Sequence, residues 1–194
     1  MALSRVIWIR HGPTHQTAFT GWRDVPADLS DAGALERLRA ALPRAARVVS
    51  SDLIRAVATA DAIAQGRARL PDEQDLREFD FGAWDGLHFE AVAARDPDLS
   101  RAFWERPGDI AAPDGESWNA VAARASAVID RLGAEDPGGT LIAVAHFGTI
   151  LAHVAQATGL PPYEALAQRI EPLSLTDLVR NGPRWQIARI NHQP

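Results

Sequence analysis

Apolar residues along the chain fall into two patterns. The first is a short unbroken run, seen in Val6-Ile7-Trp8-Ile9, in Val48-Val49 within ARVVSS, and in TLIAVAH at 140–146. Unbroken runs of this length predict strands buried on both faces, the signature of a parallel sheet covered by helices. The second pattern repeats at helical spacing. Leu35, Leu38 and Leu42 share a face behind Ser30, a predicted N-cap. Leu53, Val57, Ala60 and Ala64 do the same behind Ser51 or Asp52. Trp118, Val121, Ala125, Val128 and Leu132 form a stripe behind Ser117. All three stripes read as core faces of capped amphipathic helices. Near the C-terminus, Asn181-Gly182 predicts a hairpin between 172–179 and 185–190, although the alternation there is imperfect. Residues 106–117 are the most loop-like, and no repeat or low-complexity linker interrupts the chain. Strands that alternate with helices and end in a hairpin predict an α/β domain with a mixed sheet.

Bulk numbers narrow the function classes. The chain has 194 residues, so one domain spanning 1–194 is expected, large enough for a core without staples. A net charge of −5 gives nucleic acid or an anionic membrane no electrostatic hold. An anionic substrate would therefore need a local basic cluster. The absence of cysteine excludes disulfides, thiolate catalysis and Cys-based zinc sites. The apolar run after Met1 is too short for a signal peptide, and no run reaches membrane-spanning length. A cytoplasmic, soluble protein is the expectation.

Chemistry collects where predicted strands end. Arg10 and His11 follow the first run, His146 closes the third, and Arg55 lies one turn into the helix after VVSSDL. In open α/β sheets, functional groups gather beyond the carboxyl ends of strands. If the fold sets these strands side by side, two guanidiniums and two imidazoles meet. Arginine offers paired donors that match phosphate oxygens at any working pH. A neutral imidazole held in one tautomer can act as nucleophile, and flanking arginines disfavour its protonation. Gly12 is expected to let backbone approach the anion. His11 and His15 are four apart, but Gly12-Pro13 bars the helix that a His-x-x-x-His metal pair needs, so no metal is expected. His15, His88, His153 and His192 read as structural or surface residues, His15 and His88 being the nearer to a pocket.

These stretches together resemble the histidine phosphatase superfamily, the phosphoglycerate mutase-like proteins. IRHGPT resembles its Arg-His-Gly signature, GWRDVPADLSDAG the segment after the first helix, and SSDLIRAVATA the segment with the second phosphate-binding arginine. LREFDFGAWDGL is similar to the stretch with the family's catalytic acid, and PDGESW and AVAHFGT follow in order. The resemblance implies a three-layer α/β/α sandwich with a mostly parallel mixed sheet. It implies that His11 attacks phosphorus and that Arg10, Arg55 and His146 hold the phosphoryl oxygens. Glu78 would protonate the leaving oxygen and then activate water. Thr17 stands where the family often has Asn and would be a further phosphate contact; Pro13 stands where Glu is frequent, and Phe147 where many relatives have Gly.

The resemblance is to the phosphatase branch, because FDFGAWDG follows Glu78 rather than the mutases' Arg-His-Tyr-Gly type of segment. Residues 81–118 are broadly similar to α-ribazole phosphatases and related sugar-phosphate phosphatases. About 77–116 would form a small cap, with Phe103, Trp104 and Arg106 beside the site. Phe147, Trp22 and His88 are candidate pocket residues. The expected activity is metal-independent hydrolysis of a small phosphorylated metabolite through phosphohistidine, without cofactor. Expected partners are that metabolite and at most a second copy of the chain as a homodimer, with no nucleic acid and no membrane. A phosphoglycerate mutase or bisphosphoglycerate-type phosphatase is the enzymatic alternative. A phospho-ligand scaffold without turnover is the non-enzymatic one.

Overall fold

The first apolar run becomes the spine of the protein. In a computed structural model, which describes residues 3–182 and 184–194, Arg5–Arg10 form strand β1. Its alternate side chains enter two separate cores: Val6 and Trp8 pack on one face of the sheet, Ile7 and Ile9 on the other. Period-two alternation makes this unavoidable for a strand covered on both sides. β2 (Arg47–Ser50), the two-residue β3 (Ala68–Arg69) and β4 (Thr140–Ala145) run parallel with β1. β5 (Leu175–Asn181) pairs antiparallel with β1, and β6 (Arg184–His192) antiparallel with β5. The sheet order is β3-β2-β4-β1-β5-β6.

Helices α1 (Ala32–Ala41) and α2 (Ile54–Ala64) feed the core that holds Ile7, Ile9, Ile142 and Val144. The opposite core takes α5 (Trp118–Glu135) and α6 (Phe147–Thr158), together with Val6, Trp8, Leu141 and Ala143. The result is the three-layer α/β/α arrangement. Residues 77–116 carry α3 (Phe89–Arg95) and α4 (Pro97–Glu105), and their Phe79, Phe81, Trp84 and Phe103 join the α5–α6 core. A short α7 (Pro162–Leu166) precedes the hairpin. No helix among the described residues is long and apolar enough to cross a membrane.

The helix expectations divide instructively. α5 starts on Ser117, whose side chain accepts from the Ala120 N–H, and buries Trp118, Val121, Ala125, Val128 and Leu132 as its stripe predicts. α1 is capped by Asp31 rather than Ser30. α2 has no cap of its own; its Ile54 N–H donates to Asp24, 2.7 Å away from a distant loop. Its buried face carries Arg55, Ala56, Thr59, Ala60 and Ile63, so Val57 is only partly buried and Ala64 packs at the edge of the core. Hydropathy counts a buried Arg and Thr as outward, and that rotates the inferred face. In the hairpin, register shifts between Leu175, Asp177 and Leu178 account for the broken alternation; Pro183, next to the expected turn, lies outside the described residues.

Candidate active site

Sheet order brings the chemistry together. β4 lies between β2 and β1, with Ala145 opposite Arg10 and Val144 opposite Ser50. The residues just beyond these strand ends are therefore neighbours. The ring centroids of His11 and His146 are 5.0 Å apart. Arg55, in the first turn of α2, reaches the same edge.

His11 is held in one tautomer. Its Nδ1 lies 2.7 Å from the carbonyl oxygen of Gly12, which can only accept, so Nδ1 carries the proton and Nε2 keeps its lone pair. Burial above all, aided by Arg55 and Arg10 and opposed by the Gly12 hydrogen bond, brings the ring's pKa down to about 3. The imidazole is thus a neutral base at any ordinary working pH.

Gly12 differs from its expected role. A Cβ there would come within 2.5 Å of Leu29 Cδ2 and 3.2 Å of the Asp28 carbonyl oxygen, so the missing side chain makes room for a neighbouring loop. Its N–H donates to Thr59 Oγ1 at 3.0 Å, and the Thr59 hydroxyl donates to the Arg55 carbonyl at 2.7 Å. Thr59 thereby ties the loop bearing His11 to the helix bearing Arg55. Thr59→Val keeps the shape but leaves the Gly12 N–H buried and unpaired, which costs about 1–3 kcal/mol. The expected result is a lowered denaturation midpoint with a parallel loss in kcat; an unchanged midpoint would show the tie to be idle.

Arg55 is spent largely on protein. Nε donates to His146 Nδ1 (3.2 Å), Nη1 to the Arg23 carbonyl and Nη2 to the Gly21 carbonyl. Because Arg55 donates, His146 Nδ1 accepts, and its Nε2–H is left to donate to Ser51 Oγ at 2.7 Å. Burial first, then His11 and the arginines, hold the His146 pKa well below the usual range. His146 is fully buried and does not line the cleft. The resemblance implies that it holds phosphoryl oxygens; in this structure its two ring nitrogens face Ser51 and Arg55.

Arg10 shows the opposite condition. Nη1 donates to the Ile170 carbonyl, but Nε is buried without a hydrogen-bond partner. Burial lowers its pKa from the ordinary value, opposed by Glu78 and Glu171.

Glu78 is buried, and its carboxylate accepts from three backbone N–H groups: Phe79 and Thr149 on Oε1, Gly148 on Oε2. Two of these donors are first-turn amides of α6, where the helix dipole also favours an acidic group. A side chain at Gly148 would place a Cβ 2.6 Å from Glu78 Oε1 and 2.5 Å from the Phe79 ring, so glycine is needed there. The backbone around Glu78 is clamped from α5. Arg124 donates to the carbonyls of Asp75, Arg77 and Glu78 and makes a bidentate pair with Glu116.

The cleft is about 470 Å³ and is lined by Arg10, His11, Arg55 and Glu78, with Thr17 and Phe147 also on its wall. Trp22 and His88, expected in the pocket, are not on that lining. Trp22 spends its indole N–H on the Glu78 carbonyl and lies under the Arg77 guanidinium; His88 is the exposed N-cap of α3. His15 pairs with Asp28 at the surface. Among the described residues, no group of three His, Asp or Glu side chains is placed to hold a metal. Sequence reasoning missed Thr59, Ser51 and Arg124. Each is polar and lies within a helix or at a strand end, with no local signal that its partner is distant in sequence.

A pH consequence follows from the buried rings. His153 accepts from the Trp8 indole N–H, and burial lowers its pKa to about 4. Above the unfolded value of about 6.5, each buried ring is neutral in both states. Below it, the unfolded chain binds protons that the folded chain refuses. Stability should fall by about 1.4 kcal/mol per pH unit for each ring until its folded pKa is reached. Urea midpoints at pH 7 and pH 5 test this. His153→Gln, which keeps an acceptor for Trp8, should show the smaller drop, and an equal drop in both proteins would refute the assignment.

The family is now determined. The model of the histidine phosphatase superfamily (branch 1) matches residues 6–193, and the chain belongs to that family. A bifunctional protein of Mycobacterium tuberculosis is 34% identical over 92% of this chain and 51% of its own length. The chain thus spans about half of that relative. The glucosyl-3-phosphoglycerate phosphatase of the same organism is 32% identical, covering 83% of this chain and 78% of its own. A solved structure of mycobacterial glucosyl-3-phosphoglycerate phosphatase with inorganic phosphate superposes at TM-score 0.84, with 28% identity over 98% of each chain. The α-ribazole phosphatase of Shigella flexneri shares the fold at TM-score 0.80, with 21% identity over 97% of this chain and 96% of that one.

Proposed function

We propose that the protein is a metal-independent phosphomonoesterase that hydrolyses a small phosphorylated metabolite through a phosphohistidine on His11. The carrying observation is the pairing of a neutral imidazole, its Nε2 lone pair free, with a buried Arg10 Nε that has no partner. An orphaned guanidinium N–H beside a nucleophile fits an oxyanion that arrives with the substrate.

In the first half-reaction Nε2 attacks phosphorus, the bond from phosphorus to the ester oxygen breaks, and protonated Glu78 gives its proton to that oxygen. In the second, Glu78 as carboxylate takes a proton from water, the water oxygen bonds to phosphorus, and the N–P bond breaks to release inorganic phosphate. Arg10 and the free N–H groups of Arg55 stabilise the oxygens as charge develops. Thr17, on the cleft wall, is a further donor to them. His146 orients Arg55. Relatives named as phosphatases, one of them solved with inorganic phosphate, support the reading.

The test is turnover of a 32P-labelled monoester with chelator present, followed by an alkaline quench that preserves phosphohistidine. The label should appear on His11. A protein that binds phosphate but neither turns over nor carries label would be a scaffold. Isomerisation of 3-phosphoglycerate with a bisphosphorylated primer would make it a mutase.

A further inference from the structure

We infer that the ester cleaved here is that of an alcohol with an aromatic body and no second anionic group, selected chiefly by Trp104. The inference rests on the phosphomonoesterase reading and identifies the substrate class of that site.

Charge sets the first limit. Among the described residues that line the cleft, Arg10 and Arg55 are the cations, and the phosphomonoesterase reading assigns the donors they have left to the phosphoryl oxygens. The other polar lining side chains are Thr14, Gln16, Thr17 and Thr20, all neutral, and Glu78, which is acidic. A carboxylate or second phosphate on the substrate would meet no cationic partner there, and whatever part of it the aromatic walls desolvate costs free energy that nothing offsets.

Shape sets the second. Phe19, Phe81, Phe89, Trp104 and Phe147 form the cleft walls. Phe19 and Trp104 stack with centroids 5.9 Å apart and planes at 10°, while Phe89 stands 56% exposed at the same cleft. A large aromatic left in water beside an active site has no role in the core and fits an aromatic ligand. Behind this wall lies a small apolar cavity of about 30 Å³, reaching Phe103, Ile110 and Leu166. It shares Glu78, Phe81, Trp104 and Phe147 with the cleft. Glu78 protonates the leaving oxygen, so the alcohol must lie on the Glu78 side. The apolar extension is therefore on the leaving-group side of phosphorus. A void of this size takes a methyl group or the edge of a ring.

Trp104 adds a polar instruction. Its Nε1 is buried and has no hydrogen-bond partner. A buried N–H without an acceptor is costly, and an ether, carbonyl or ring nitrogen on the substrate would relieve it.

The experiment compares kcat/KM for alkyl phosphates of similar leaving-group basicity: benzyl phosphate, 3-pyridylmethyl phosphate, glycerol 1-phosphate and 3-phosphoglycerate. Both aromatic esters should exceed glycerol 1-phosphate by about 10-fold or more, the range for one well-packed apolar group, with 3-phosphoglycerate poorest. Trp104→Phe keeps the aromatic wall and should remove any advantage of the pyridyl ester over benzyl. Trp104→Ala should lower the aromatic esters by more than glycerol 1-phosphate. Turnover of 3-phosphoglycerate equal to or above benzyl phosphate, or equal losses on every ester in Trp104→Ala, overturns the inference and leaves the phosphomonoesterase reading intact. No turnover of any ester and no label on His11 sinks both.

Discussion

His11→Asn should lower kcat by about 10⁴-fold or more, the scale seen when a covalent nucleophile is deleted. Asparagine can still donate to the Gly12 carbonyl, but it has no lone pair where Nε2 stands. The oxyanion donors remain, so inorganic phosphate should still raise the denaturation midpoint of the variant. That pair of results, lost turnover with retained anion binding, separates loss of the nucleophile from loss of the fold. Single-turnover labelling then decides the mechanism. A variant with more than about a tenth of wild-type kcat would mean that water attacks phosphorus directly or that another group is the nucleophile.

Glu78→Gln carries the second large effect, and its size should depend on the leaving group. An alkoxide leaves poorly and needs a proton, whereas p-nitrophenolate leaves unaided. General acid catalysis contributes about 10²–10⁴-fold, and this full loss is expected on an alkyl ester. On p-nitrophenyl phosphate the first step should be nearly untouched, with any remaining loss confined to water activation in the second. Gln has a structural defect of its own, since its amide NH2 must face one of the three N–H groups now donated by Phe79, Gly148 and Thr149. That defect would lower both substrates alike. Equal losses on the two esters would therefore take the acid role away from Glu78 and leave it as a brace for the start of α6.

Both residues were legible in the sequence, as was much of the frame that carries them. β1, β4 and α5 were legible because each is simple in one respect: a strand buried on both faces is continuously apolar, and a capped helix on a core shows its stripe. The cations at the strand ends were legible for the same reason, since a charge that breaks an apolar run is conspicuous. α2 was read with its face turned, because it buries Arg55 and Thr59 for the site and hydropathy has no way to score that. His146 was legible at its junction, but its hydrogen-bond partners were not. Which atoms a buried ring contacts is decided by Ser51 and Arg55, brought to it by β2 and α2.

The division has a physical basis. Period, capping residue and residue chemistry are local properties, written within a few positions of one another, and they determined the strands, most helices and the identity of the reactive side chains. Convergence is not local. The β2-β4-β1 order that brings the His11 and His146 ring centroids to 5.0 Å arises from pairing strands distant in sequence, Arg47 with Leu141 and Arg5 with Thr140. The same holds for the Thr59 tie, the Arg124 clamp and the glycine space at 148, each a contact between distant segments. Such contacts exist only once both cores are packed, so the sequence could raise the convergence as a condition and the tertiary structure had to decide it.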